Sequence, residues 1–197
     1  MVPVAAWLRK AGAHHDVVQW AEGFGDDWQG AWEQCPRGDW LLGMAARLEV
    51  ERHYLVEGAC RCARLALLYV PEEERRPEQA LATAEAWCQR RAETLECWEQ
   101  KAQVASLGRE AADDPAMQAA TSATIAALDA IEEPDAAAAA AACAIQAAVL
   151  DAGDCAMMAA LRFTQQRCAQ LVRESIPDWH VLERARALRA LSTPPHA

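Results

Sequence analysis

The chain is poor in residues that favour β-strands. Its 197 residues include only two phenylalanines and two tyrosines, and valine and isoleucine are also few. Alanine, leucine, glutamate and arginine are abundant instead, and these residues lose little conformational entropy in a helix. Over half of the residues are apolar, enough to form a sizeable core. We therefore predict one all-α domain over residues 1–191, a multi-helix antiparallel bundle or a short α-solenoid of stacked helical hairpins, followed by a flexible tail at 192–197.

Lysine is nearly absent, with Lys10 and Lys101 the only two, and arginine carries most of the positive charge. The formal net charge is −10. Contacts to phosphate need a basic face, so this balance argues against nucleic acid as a direct ligand. It permits a partner of the opposite sign, such as a basic protein.

The sequence also lacks a long hydrophobic run. Its start, MVPVAAWLRKAG, has no basic segment followed by an apolar stretch, so we expect no secretory signal. The most apolar run, 136–150, is short and dominated by alanine, which argues against a membrane span. We expect a cytoplasmic protein without membrane association, whose eight cysteines stay reduced and pack as small hydrophobes.

Glycine, proline and aspartate mark the predicted helix boundaries. Gly38 supplies a turn, Asp39 is the expected N-cap of the next helix, and Trp40 begins its inward face. Pro77 falls where a first helical turn tolerates proline. Gly153 is expected to end a helix that follows the alanine run. The connections are short, so successive helices should be antiparallel neighbours.

The cysteines lack the spacing of a metal site. No C-x-x-C pair occurs, and no histidine stands at zinc spacing from two cysteines. Cys60 and Cys62 would point about 200° apart on a helix. P-loop, dinucleotide and hydrolase motifs are also absent from the sequence. We predict structural cysteines, no cofactor, no metal and no enzymatic activity.

Two stretches nevertheless admit a reactive interpretation. Cys35, close to an arginine and a carboxylate, is either a nucleophile or a buried residue in the turn before a helix. His14 and His15 form either a metal or acid–base site, or an exposed helix start with Asp16 placed favourably for the helix dipole. We favour the structural interpretation of both stretches.

Pairs of acidic residues recur at predicted helix ends. The simplest interpretation is solvated caps and turns, and the alternative is an acidic rim that steers a basic protein. The candidate partner-binding residues are Asp26, Asp27, Glu72, Glu73, Asp113 and Asp114. The eight tryptophans, five of them among the first forty residues, likewise either fill gaps between alanine-lined helices or form an exposed patch for a partner.

Three stretches of the first half, Gly38 to Trp40, Ala59 to Arg64 and Pro71 to Trp87, together resemble a family of immunity proteins from bacterial polymorphic toxin systems. The family pattern has a Gly-Asp-Trp helix start, an Ala-Cys-x-Cys-Ala-Arg helix, and a Pro-x-x-Glu-x-Arg-Pro connection into a helix that contains tryptophan. The matching positions are Gly38, Asp39, Trp40, Ala59, Cys60, Cys62, Ala63, Arg64, Pro71, Glu74, Arg76, Pro77 and Trp87. One departure is Arg90, where the pattern has glycine. The resemblance extends from about Trp7 to Ala105.

The resemblance implies an all-helical protein that neutralises a cognate toxin by binding it stoichiometrically. We expect the matched residues to be structural, with Arg64 and Arg76 pairing with Asp39 or Glu74. A helical adaptor for an unrelated protein is the alternative. A helical enzyme or metal-binding bundle that uses Cys35 or His14 and His15 is a third hypothesis.

Overall fold

The computed structural model describes residues 2–192, with side chains to residue 188, and within these residues the chain forms ten α-helices and no strand. This confirms the predicted all-α multi-helix bundle. Two short 3-10 helices, Glu22–Phe24 and Ala66–Tyr69, join helices along the chain. The α-helices are α1 (Val4–Lys10), α2 (His15–Ala21), α3 (Trp28–Gln34), α4 (Gly38–Arg47), α5 (Arg52–Leu65), α6 (Arg76–Cys88), α7 (Thr94–Glu110), α8 (Pro115–Asp129), α9 (Ala136–Ser175) and α10 (Asp178–Ser192).

Helix α9 folds back on itself at Gly153, where the backbone is non-helical (φ 62°, ψ 175°). A Cβ built on Gly38 would lie 2.5 Å from the Cβ of Cys168, and one built on Gly43 would lie 3.8 Å from the Cβ of Ala138. The two glycines are only about 8 Å apart along α4, whereas residues 138 and 168 of a straight helix would be about 45 Å apart. The predicted helix end at Gly153 is therefore confirmed, and it is the tip of a helical hairpin.

The two arms of this hairpin, 136–152 and 154–175, supply much of the core. Helix α9 packs most extensively on α8, α5 and α4. The first arm is buried mainly through alanine, and such small side chains let helix axes approach closely. By length and composition α9 could span a membrane. The backbone of this helix breaks at Gly153, and parts of both arms pack against other helices of the bundle.

The N-terminal helices pack through tryptophan. The ring centroids of Trp7 and Trp28 lie 5.2 Å apart, and those of Trp20 and Trp40 lie 5.8 Å apart. Trp28 is buried and its Nε1 donates to the Val2 carbonyl at 2.8 Å. These indoles fill gaps between helices, as the packing interpretation predicts.

The predicted capping role of Asp39 is wrong. Arg37 occupies the N-cap position of α4 without a side-chain capping bond, and Asp39 lies within the first turn. Its carboxylate instead accepts two hydrogen bonds from the Arg37 guanidinium, at 3.1 and 2.6 Å. Gly38 is already helical and packs on Cys168, so its role is close approach rather than a turn.

The expected partner of Arg64 is also wrong, because Arg64 pairs with Glu85 of α6. Arg76 does pair with Glu74, as expected, and it also binds Glu110 of α7. The predicted tail at 192–197 lies outside the described residues except for Ser192, the last residue of α10.

Candidate functional site

The Cys35 thiol is held in the core. Cys35 is 1% exposed, its Sγ donates to the Arg37 carbonyl at 3.4 Å, and its own carbonyl accepts from Arg173 at 2.9 Å. Burial raises the pKa of this thiol from 9.0 to about 12. A nucleophilic cysteine needs a lowered pKa and access to solvent. The geometry therefore favours the structural interpretation of Cys35.

The charged and aromatic part of the same stretch faces outward and lines a groove of about 410 Å³. The Arg37 guanidinium binds Asp39 and lies 4.5 Å from the centroid of the Trp40 ring. Arg47, also in the groove, donates to the carbonyls of Ala11 and Gly43. Since both arginines are engaged by groups of the chain itself, neither presents a free positive charge to a ligand in the groove.

His14 acts as a helix cap. Its Nδ1 accepts from the Asp16 backbone N–H at 3.3 Å at the start of α2. Both His14 and His15 are exposed. Among the described residues, no group of three or more histidines, cysteines and carboxylates is arranged to hold a metal ion.

Cys60 and Cys62 face different neighbours, as their spacing predicts. The Cys62 Sγ lies 3.8 Å from the carbonyl oxygen of Cys168 in the second arm of α9. The pKa of Cys62 is raised well above its usual value by its contact with Cys168 and by burial. Cys60 is also fully buried, and desolvation, followed by the fields of Cys88 and other neighbouring groups, raises its pKa. Cys60 and Cys62 are therefore core side chains whose thiols stay protonated at neutral pH.

The other matched residues hold α5, α6 and α7 together. Pro77 lies in the first turn of α6, and the Trp87 Nε1 donates to the Thr94 Oγ1 of α7 at 3.2 Å. Arg90 has φ 58°, in the left-handed region. Its N–H donates to the carbonyl of Trp87, and that of Arg91 donates to the carbonyl of Ala86, both at 2.8 Å. This is the Schellman arrangement that ends helices, usually with glycine at the Arg90 position.

Two of the three predicted acidic pairs lie at neighbouring connections. Arg76, at the start of α6, binds Glu110 at the end of α7. The connection that carries Glu72 and Glu73 therefore lies beside the connection from α7 to α8. That second connection carries Asp113 and Asp114, and all four carboxylates are exposed.

The tip of α9 lies at the same end of the bundle. Helices α7 and α8 are antiparallel, because Lys101 pairs with Asp129 and Gly108 approaches Thr121. The short connection after α8 makes the first arm of α9 antiparallel to α8, so the start of α8 is level with about residue 150. Tyr69, just before Glu72 and Glu73, has its pKa raised by burial and by the Asp151 carboxylate at this tip.

We call this region the acidic end. Its members are Glu72, Glu73, Asp113, Asp114, Asp151 and Asp154. None of these six carboxylates forms an ion pair with another described residue. Asp151 and Asp154 were not among the predicted binding residues, although their position on either side of Gly153 marks them as tip residues.

Asp26 and Asp27 are not brought to the acidic end by the packing of their helix. They precede α3, which packs on α10 and on the 3-10 helix Glu22–Phe24. The Asp27 Oδ1 accepts from the Gly30 N–H at 2.8 Å, so Asp27 is an N-cap, as is Asp114 with the Met117 N–H. For these two aspartates the capping interpretation is correct.

No protein-family model, curated protein or solved structure matches this chain. A functional assignment therefore depends on the chain's own geometry and on the resemblance in its first half. The motif residues are engaged in packing and internal ion pairs. The acidic end, in contrast, carries six carboxylates that form no ion pair with a described residue.

Proposed function

We propose that this protein is an immunity-type inhibitor that binds a cognate bacterial toxin stoichiometrically and neutralises it. The observation that carries the proposal is the acidic end, where six carboxylates from three connections lie at one end of the bundle and none has an ion-pair partner among the described residues. Charge gathered in this way accelerates the association of an oppositely charged protein. The net charge of −10 extends that attraction over the whole surface.

The proposed mode of action is occlusion. A toxin that acts on nucleic acid needs a basic surface around its active site to contact phosphates. An acidic protein that docks there competes for that surface and covers it. Such inhibition needs no cofactor and no chemical step. It requires only that the complex dissociate too slowly for substrate to reach the active site.

The experiment captures the partner of the tagged protein from its own cells, then co-expresses and purifies the pair. We expect relief of toxicity, a 1:1 complex, and an association rate that falls steeply with added salt. A complex with a partner that is not toxic would favour the adaptor hypothesis instead. Absence of both complex and protection would contradict the proposal.

Charge-neutralising variants test the role of the acidic end. The first variant combines Glu72→Gln, Glu73→Gln, Asp151→Asn and Asp154→Asn. The matched control combines Glu33→Gln, Glu99→Gln, Glu132→Gln and Glu133→Gln, which remove the same charge from exposed positions elsewhere. We expect the first variant to slow association at low salt by about tenfold, and the control to slow it much less. Equal effects would show that net charge, rather than the acidic end, steers the partner.

A further inference from the structure

Large apolar side chains are exposed at the tip of α9. We call them the tip patch, and their side chains are between 38% and 82% exposed. The members are Leu68, Leu150, Met157, Met158 and Phe163. Single exposed apolar residues are ordinary on protein surfaces, but a group at one end of a fold marks an interaction surface.

The helix register brings Leu68 to the same end as the α9 residues. Cys62 contacts Cys168, and four residues earlier Gly58 approaches Ser175 in the second arm of α9. Helix α5 and this arm are therefore antiparallel. Continuing the register to the 3-10 helix Ala66–Tyr69 places Leu68 level with about residues 161–165, which include Phe163. The field of Asp151 at Tyr69 shows independently that this 3-10 helix lies beside the tip.

The tip projects beyond the helices that flank its base. Residues 153–159 are all exposed, whereas burial resumes at Thr164 in the second arm. Their helical geometry is interrupted only at Gly153. The tip thus presents a convex surface rather than a groove. Phe163 lies about 120–140° around the helix from Met157 and Met158, so these side chains surround the tip rather than share one face. A concave partner that receives the tip can contact them together.

We propose that the tip patch is the docking element, and that it inserts into an apolar pocket bordered by lysine and arginine on a basic partner protein. This inference rests on the proposed function and specifies which surface performs it. The carboxylates around the tip patch indicate which kind of partner binds there. Asp151 and Asp154 flank the tip, and four further carboxylates of the acidic end lie at the same end of the bundle. Arg162 is an exposed cation beside Phe163 of the tip patch. The carboxylates outnumber it, so two copies meeting tip to tip would bring net negative charge against net negative charge. A basic rim on the partner would instead pair with the carboxylates.

The side chains of the tip patch suit such a role. Phe163 is a large rigid side chain that can fill a pocket, and buried aromatic residues dominate the energy of many interfaces. Met157 and Met158 are unbranched and adapt to an irregular apolar wall. The surrounding carboxylates would then form the polar rim of the interface.

The first experiment places a photo-crosslinking phenylalanine analogue at position 163 of the full chain in its own cells. The control carries the same analogue at Leu95, an exposed leucine on α7 (61% exposed, against 71% for Phe163) outside the tip. We expect one basic protein to be crosslinked from position 163 and not from position 95. A crosslinked homodimer from position 163 would overturn the proposal, and so would a partner captured equally from both positions.

The second experiment measures the affinity of that partner, purified, for tip variants. We expect Phe163→Ser and Met158→Ser each to weaken binding at least tenfold, because they remove apolar contact without changing charge. Leu95→Ser should leave the affinity within about twofold. Unchanged unfolding curves would show that Phe163→Ser still folds, as expected for an exposed side chain.

Failure of the docking inference can be distinguished from failure of the proposed function. If a 1:1 toxin complex forms and protects cells but Phe163→Ser binds like wild type, the docking inference is wrong and the proposed function stands. If the crosslinked basic protein is not a toxin, the tip patch is a docking surface and the proposed function fails.

Discussion

Arg64 of α5 and Glu85 of α6 form a bidentate ion pair. The Arg64 Nε lies 2.6 Å from one carboxylate oxygen of Glu85, and its Nη2 lies 2.8 Å from the other. The side chains are 35% and 30% exposed, so the pair is partly shielded from water. It joins two consecutive helices whose connection contains the charged segment 71–75.

Arg64→Ala is expected to lower the free energy of unfolding by about 1 kcal/mol. Bidentate, partly shielded pairs are worth more than exposed ones, but a pair that is one-third exposed does not reach the cost of breaking a fully buried pair. Urea unfolding measures the change. Arg9→Ala is the matched control, since Arg9 pairs with Glu22 at a much more exposed position, and it should cost no more than about 0.5 kcal/mol. Equal losses of unfolding free energy in the two variants would show that the shielded, bidentate pair of Arg64 and Glu85 is worth no more than the exposed pair of Arg9 and Glu22.

The sequence was sufficient to predict that Arg64 forms an ion pair within the chain, but not which residue it pairs with. Local signals such as Pro77, Asp27 and Gly153 depend on neighbours within a few residues, and their predicted positions at helix ends are correct. The partner of Arg64 depends on how α5 crosses α6, which no local pattern specifies. Asp39 shows the same limit, because α4 begins at Gly38, two residues earlier than predicted, where Gly38 packs closely on Cys168, and Asp39 therefore lies inside the first turn rather than at the N-cap.

The acidic end was also only partly predictable, because local signals can be recognised in the sequence whereas the packing of helices cannot. The pairs Glu72–Glu73 and Asp113–Asp114 were identified from sequence as possible rim residues, and the exposure of connections is a local property. Their convergence with Asp151 required the antiparallel packing of α7, α8 and the first arm of α9. The exposure of Phe163 was not predictable, because helical spacing alone cannot tell a core-facing apolar residue from one that projects past the end of its neighbours.

Arg90→Gly is expected to stabilise the fold by about 0.5 to 1 kcal/mol. Arg90 has φ 58°, which costs a residue with a side chain more than it costs glycine. The greater freedom of glycine in the unfolded chain offsets part of that gain. Thermal or urea unfolding measures the net change in the free energy of unfolding. Arg91→Gly, one residue further on and outside the left-handed region, should be destabilising, so the two substitutions are expected to differ in sign.

Gly38→Ala is expected to destabilise the protein by about 1–3 kcal/mol or more. The added Cβ would lie 2.5 Å from the Cβ of Cys168 and 2.7 Å from its backbone carbonyl carbon, so the second arm of α9 would have to move. Gly23→Ala is the control, because a Cβ there has no neighbour within 4 Å and the residue does not have a positive φ. Unfolding curves of the two variants compare the effects. A small loss at Gly38 would show that α4 and α9 separate without cost.

The Cys35 thiol is expected to make the protein less stable in alkali. Because its pKa rises from 9.0 to about 12 on folding, the unfolded chain loses this proton first as the pH increases. The stabilisation is fully present below pH 9 and is lost progressively between pH 9 and 12, by about 1.4 kcal/mol at pH 10 for this one group. Half-buried Cys88 and buried Cys97 act in the same direction, because desolvation raises their pKa values to about 12 and about 11. Urea unfolding of wild type and Cys35→Ala at pH 8 and pH 10 isolates the contribution of Cys35, because the variant should lose less stability between the two conditions. An identical loss in both proteins would mean that the Cys35 thiolate is tolerated in the folded state, and it would reopen the nucleophile interpretation.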